Sequence, residues 1–324
     1  MVSEGYDYEA LASELLRALR GARSQTQFAR RLGYKSNVVY SWEAGRAFPT
    51  AATALRAAER AGADVPAALL ALYRQPPREA LLEPATPAGV AQFLDDLRGR
   101  ASVQQLARMT GFNRYAIARW LKGSTEPRLP DFLRLLEAMT LRLIDWLAAL
   151  VDPEQLPSVR SSWRELELAR AATYREPWSQ AVLRALELAE YRALPRHEPG
   201  WVARRLGLDL AGEQRALELL LATGQVRRTD ARFEPVDDAP LIDTRRDPRG
   251  AWQLRVFWSE VALARLRAGS DGLFSHAVVG VSETDLAKIR ELQKAYYQEV
   301  RAIVAGSQPV ERVALLNLQL VPLV

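Results

Sequence analysis

The chain has no cysteine among its 324 residues, which excludes a disulfide framework and any thiolate metal site. It has only two histidines, His197 and His276, and neither has the spacing to the other or to carboxylates that a metal centre requires. No apolar run reaches the roughly 18 residues of a membrane helix. The N-terminus, with Glu4, Asp7 and Glu9 ahead of any hydrophobic stretch, does not read as a signal peptide. There is no glycine-rich phosphate loop, since Gly269-Ser270-Asp271-Gly272 reads as a turn. Asp95-Asp96 and Asp237-Asp238 read as solvated pairs rather than acid/base dyads. These absences argue against an enzyme, a cofactor or a resident metal, and the simplest location is the cytoplasm.

What is present is a soluble globular composition, 48% apolar and 26% charged, with room for two to four domains. The net charge of +5 is unevenly placed. Residues 1–150 carry 20 Lys+Arg against 15 Asp+Glu, and the remainder carries 24 against 24. A basic surplus confined to one half suits a polyanion, because neutralised phosphates release counterions.

The same half contains a repeat. Shifted by 78 residues, Leu15 to Pro49 falls on Phe93 to Pro127 without a gap, and 12 of the 35 aligned positions are identical. Chance gives about two or three, and a repeat of this kind governs the fold reading. The shared residues include Ser24/Ser102, Ala29/Ala107, Gly33/Gly111, Trp42/Trp120 and Gly45/Gly123.

Helical spacing and end signals then divide the chain. A first helix through Leu11, Leu15, Leu16 and Leu19 ends at Gly21. Ser24 caps a short helix that Gly33 breaks. A third helix opens at Ser36 or Lys35, with Val39 and Trp42 inward. Two more follow Pro49 and Pro66. The expected domains are 1–75, a proline-rich linker over 76–87, a second helical domain over 88–150, and a unit over 151–245. In that unit, helices Trp201–Leu206 and Ala211–Ala222 precede a hairpin (225–228 and 232–235), a winged-helix order. Residues 246–324 give helices Trp252–Arg267 and Glu283–Ala305. Strands are expected over 273–281 and 312–320, the latter half-buried through Leu316, Leu318 and Leu320. The fold class is therefore mainly α, closing with a small α+β element.

Two helices crossing closely need a small inner residue, here Ala29 and Ala107, and a left-handed turn, here Gly33 and Gly111. With Val39 and Trp42, and Ile117 and Trp120, as anchors, both copies resemble the lambda-repressor-like (phage-repressor/Cro-type) helix-turn-helix family. The resemblance rests on Ser-Gln-Thr-Gln-Phe-Ala-Arg-Arg-Leu-Gly (24–33) and Val-Val-Tyr-Ser-Trp-Glu-Ala-Gly-Arg (38–46). In the second copy it rests on Leu-Ala-Arg-Met-Thr-Gly (106–111) and Ile-Ala-Arg-Trp-Leu-Lys-Gly (117–123).

The resemblance implies a nucleoid-associated regulator of transcription, a repressor or autoregulator, with a recognition helix of each copy in the major groove of double-stranded DNA. It places Lys35, Ser36, Asn37 and Ser41, and Asn113, Arg114, Tyr115 and Arg119, towards base edges. Gln25 falls at a helix start that clamps phosphate or base; the second copy has Val103 there. Tyr40, Arg46 and Lys122, with Arg20, Arg23 and Arg100, suit backbone contacts, which position without specifying. The competing reading is an antitoxin-like or protein-docking module.

In the unit over 151–245, Asp209, Glu213 and Glu218 are expected on the exposed face of the second helix, where they repel phosphate. That favours an architectural role. Residues 160–324 resemble an uncharacterised domain fused to such regulators, through Val-Gly-Val-Ser-Glu-Thr-Asp-Leu-Ala-Lys-Ile-Arg (279–290) and Leu-Asn-Leu-Gln-Leu-Val-Pro-Leu (316–323). The expected partners are DNA, a second copy bound through the C-terminal half, and a small-molecule, peptide or protein effector, with no membrane.

Overall fold

A computed structural model describes residues 6–73, 82–99, 101–236, 244 and 246–324. Residues 76–81 of the expected linker, Arg100, Asp237-Asp238 and Arg245 lie outside the described residues. The chain forms two compact units, Met1–Glu165 and Leu166–Val324.

The first unit is helical throughout. Helices α1 (Tyr8–Arg20), α2 (Gln25–Arg31), α3 (Val38–Glu43), α4 (Ala51–Ala61) and α5 (Val65–Leu72) are followed by α6 (Pro87–Arg98), α7 (Val103–Thr110), α8 (Arg114–Leu121), α9 (Leu129–Thr140) and α10 (Leu143–Leu150). The two series obey the 78-residue offset almost residue for residue: α2, α4 and α5 begin 78 positions before α7, α9 and α10. Their turn glycines match too, since Gly21 and Gly99 sit at φ +60° and +55°, and Gly45 and Gly123 at +67° and +70°. Leu11, Leu15, Leu16, Phe28, Val39 and Leu55 are buried in the first series, and Leu94, Leu106, Ile117, Phe132 and Leu136 in the second.

The two series are joined by main chain. Thr50 and Arg128, themselves 78 apart, form an isolated antiparallel bridge. On either side of it Ala51 N–H donates to Pro127 O at 2.9 Å and Leu129 N–H donates to Pro49 O at 2.9 Å. Each bond is the 78-residue image of the other, so the bridge marks a local two-fold axis. Helices swap partners across it: α1 packs on α9, α4 on α6, and α5 on α10. Arg142 adds a bond from its guanidinium to Ala71 O at 2.8 Å. After a 3-10 turn (Pro153–Gln155), Ser158 is tied to α1 through Glu14, which accepts from its amide at 3.0 Å and its hydroxyl at 2.8 Å.

The division between units falls within α11 (Arg160–Arg175). The second unit continues with α12 (Trp178–Ala185), α13 (Ala189–Arg192), α14 (Trp201–Leu206) and α15 (Leu210–Ala222). Strands β1 (Val226–Arg228) and β2 (Phe233–Pro235) then form an antiparallel hairpin in the register Val226 to Pro235. Its core gathers Val182, Leu186, Tyr191, Trp201, Leu217 and Val226. Glu213, expected on an exposed face, is buried there: its carboxylate accepts from Gly200 N–H at 2.9 Å and from Ala203 N–H, closing the amino end of α14. The lone amides of a helix start reward such a carboxylate.

Helices α16 (Pro248–Arg267) and α17 (Glu283–Ala305) complete the described elements, with Ser282 capping α17 through Asp285 N–H at 3.1 Å. The two strands expected after residue 270 do not form; β1 and β2 are the only strand pair among the described residues. Residues 273–281 and 312–320 form no regular element and make no backbone–backbone hydrogen bonds among the described residues. A strand needs a partner strand, and neither segment meets one among the described residues. The molecule is mainly α, without the α+β closing element. No helix among the described residues is long and apolar enough to cross a membrane.

Candidate nucleic-acid interface

The interface is built from local signals that act identically in both series. Ser24 accepts from Gln27 N–H at 3.2 Å while its own N–H donates to the Gln27 side chain at 3.0 Å, a reciprocal capping box that starts α2. Ser102 and Gln105 repeat it at 3.2 and 2.7 Å ahead of α7. Gly33 and Gly111 turn the chain at φ +91° and +72°, in the left-handed region that glycine enters without strain. Val39 and Ile117 are buried and seat the following helix. After each helix the chain closes alike: Arg46 N–H donates to Ser41 O and Ser124 N–H to Arg119 O, both at 2.9 Å.

Two differences separate the copies. First, α3 starts at Val38 with Asn37 as cap, later than the expected Lys35 or Ser36, whereas α8 starts at Arg114 with Asn113 as cap. In register Asn113 matches Lys35, so the second helix and its cap both begin two residues early relative to the repeat. Both Asn side chains accept main-chain bonds, Asn37 from Tyr40 N–H at 3.4 Å and Asn113 from Tyr115 N–H at 2.8 Å. Both residues are exposed. Second, Trp42 is buried with its ring edge-on to Tyr34, but Trp120, expected as an equal anchor, stays half-buried against Phe112. Helix α8 buries Ile117 alone, so the hollow beneath Trp120 is shallower.

Around these helices lie the candidate contact groups. Lys35, Ser36, Asn37, Tyr40 and Arg46 are exposed at the first, with Ser41 half-buried. Asn113, Arg114, Tyr115, Arg119 and Lys122 are exposed at the second. Each helix carries an arginine stacked on a tyrosine: Arg46 lies 5.2 Å from the Tyr40 ring centre, and Arg114 lies 4.8 Å from that of Tyr115 while donating to its hydroxyl at 2.8 Å. Stacking holds a guanidinium in place without consuming all five of its donors.

Gln25 is already engaged. Its Nε2 donates to Glu43 Oε2 at 2.8 Å, and the same carboxylate accepts from Arg20 Nε at 2.5 Å. Glu43 is buried at the end of α3. Arg20, expected at the phosphate backbone, is thus an internal tie between α1 and α3 that also holds Gly21 O at 3.1 Å and Arg23 O at 2.5 Å. The repeat held the clue to this group: Glu43 and Gln25 become Leu121 and Val103 in the second copy, while Arg20 persists as Arg98 and pairs with Asp95 at 2.7 Å instead.

Residues 12–79 match the family described as a helix-turn-helix domain, spanning α1 to α5. Residues 158–323 match the domain of unknown function DUF4423, just over half the chain. The chain belongs to the DUF4423 family. No curated protein and no solved structure matches it. In this member of the DUF4423 family the helix-turn-helix domain precedes the family domain, and neither match reaches residues 80–157. The helix-turn-helix domain supports a DNA-binding regulator.

Proposed function

We propose that this protein is a sequence-specific transcriptional regulator, a repressor or autoregulator, whose two tandem phage-repressor-type helix-turn-helix domains read one bipartite operator. The observation that carries the reading is the reciprocal pair of main-chain bonds, Ala51 to Pro127 and Leu129 to Pro49. A two-fold rotation preserves height along its axis, so two recognition helices related by this one would stand level on either side of it. Symmetric dimeric repressors present two recognition helices in this way to half-sites one turn of DNA apart. Here one chain supplies both. The exposed residues differ between the copies, Lys35-Ser36-Asn37 against Asn113-Arg114-Tyr115, so the two half-sites differ in sequence. The second unit dimerises the protein and houses its response to an effector, with the α14–α15–hairpin arrangement a winged helix in an architectural role.

Footprinting on operators selected from random DNA tests this. Replacing Lys35 and Asn37 by alanine is expected to erase protection over one half-site, and replacing Arg114 and Arg119 to erase the other. Each good base contact is worth about 1–3 kcal/mol. With roughly 4–8 phosphates engaged, affinity falls several-fold per doubling of salt. A footprint unchanged by both double replacements overturns the bipartite reading.

A further inference from the structure

The last quarter of the chain is folded as though part of it were missing. In α16 only Gly250, Ala251 and Leu254 are buried, and among its described residues α17 buries none. An isolated helix of this length is marginal in water, since helices draw most of their stability from a packed face. From Trp252 onwards nineteen large apolar side chains are exposed, among them Leu273 at 100%, Val278 at 83% and Leu292 at 69%. At roughly 150–200 Å² each, and half to two-thirds open, they present on the order of 1,500–2,000 Å² of apolar surface. The largest apolar patch of an ordinary monomer is about 300–600 Å².

The segment 312–320 shows the same deficit in finer detail. Asn317 Nδ2 and Gln319 Nε2 both donate to Ser259 Oγ on α16, at 3.3 and 3.0 Å, and Gln293 of α17 donates to Leu318 O at 3.3 Å. The polar side of this alternating segment therefore lies on its own helices. Leu316 and Leu318 are exposed, at 37% and 39%. Residues 271–280 are exposed throughout. Both segments have strand-forming composition and unpaired main-chain edges, which is the state that proteins ordinarily cover.

We propose that residues 252–324 are an intertwined homodimerisation module, in which 273–281 and 312–320 of two copies pair as strands across the interface and cover the outward apolar faces of α16 and α17. A second copy is the occupant the surface favours on three counts. The area falls in the range of obligate homodimers, about 1,000–2,500 Å² per partner. The region carries 8 Lys+Arg against 7 Asp+Glu, a near-neutral surface that neither repels its own image nor attracts a strongly charged partner. Each chain brings both open segments and the helices that back them, so two copies can satisfy each other about a two-fold axis, as an isologous assembly requires. The inference rests on the reading of the second unit as the dimerising one and names the surface involved.

The test needs two measurements on the full chain without DNA. Light scattering is expected to give twice the 36.2 kDa chain mass, and hydrogen exchange to show amides 273–281 and 312–320 slowed by about 100-fold or more. Dilution to monomer is expected to release that protection, and the L316D/L318D variant to run as a monomer that keeps its footprint on operator DNA. A dimer whose 273–281 and 312–320 amides exchange freely overturns the strand pairing while leaving dimerisation standing. A chain of single mass overturns both, and protection that persists at the monomer's mass overturns the strand pairing.

Discussion

Replacing Glu43 by leucine, the residue the second copy carries at Leu121, isolates what the buried carboxylate does. Glu43 accepts from Arg20 Nε at 2.5 Å, Arg20 Nη2 at 3.3 Å and Gln25 Nε2 at 2.8 Å, with its side chain 5% exposed and that of Arg20 20% exposed. Removing one partner of a buried pair costs about 3–5 kcal/mol, because the other charge is left without its counterion. Arg20 keeps its Nη1 bonds to Gly21 O and Arg23 O and one-fifth of its surface in water, and the new leucine buries apolar surface, so a net loss of about 2 kcal/mol is expected. For a unit of this size that lowers the melting temperature by roughly 4–8 °C. The double variant E43L/R20M removes the stranded charge and is expected to recover to within about 1 kcal/mol of the parent. Calorimetry of the full chain, following the transition of the first unit, measures all four corners of the cycle. A single variant E43L that melts with the parent, or a double variant no better than the single, refutes the account. Because Glu43 closes α3 and holds Gln25 at the start of α2, E43L is also expected to weaken protection of the first half-site and spare the second.

Gly33→Ala and Gly111→Ala are each expected to cost about 1–2 kcal/mol from the left-handed backbone alone, since a Cβ meets nothing within 4 Å at Gly33 and only the tip of Arg134 at 3.8 Å at Gly111. Gly89→Ala is expected to cost more, because its Cβ would lie 2.1 Å from Glu83 O; thermal melting ranks the three. Burial holds the His197 imidazole below its ordinary 6.5, with Arg228 acting in the same direction against Glu213 and Glu198. A depressed folded value means that the neutral ring is the stabilised form. Its contribution is therefore full above pH 6.5 and is lost as the pH falls through the folded value. The second unit is expected to weaken on acidification in that window, and His197→Asn to flatten the dependence in urea titrations; a parent whose stability does not change there contradicts it.

Most of the helical plan was legible because it is written in near neighbours. Capping serines, turn glycines and apolar residues at helical spacing lie within a few positions of one another, and they placed α2, α7 and α17 to the residue or nearly so. The seam at Thr50 and Arg128 was not legible, although the repeat that generates it was. It is made of main-chain groups next to Pro49 and Pro127, and a backbone bond leaves no mark in side-chain pattern. The buried Glu213 read as a surface residue for a related reason: its partners are the amides of Gly200 and Ala203, which only the fold brings to it.

The failure over 273–281 and 312–320 has a different origin and says more about the molecule. Asn317 and Gln319 share the partner Ser259, as their spacing grouped them, while Leu316 and Leu318 are exposed and Leu320 is half-buried. The expectation went wrong only in assuming that the apolar face is the one turned towards the same chain. Ser259 takes the polar face instead. A pattern that is right in period and inverted in orientation is what a strand shows when its apolar side is selected against a surface outside its own chain. The first unit reaches two-fold symmetry within one chain by duplication. In the proposed dimer, the second unit leaves its apolar segments for another copy to complete. Such a dimer would join four recognition helices, two per chain. The asymmetry within each chain then demands an operator in which unlike half-sites form a block, and two blocks form an inverted repeat.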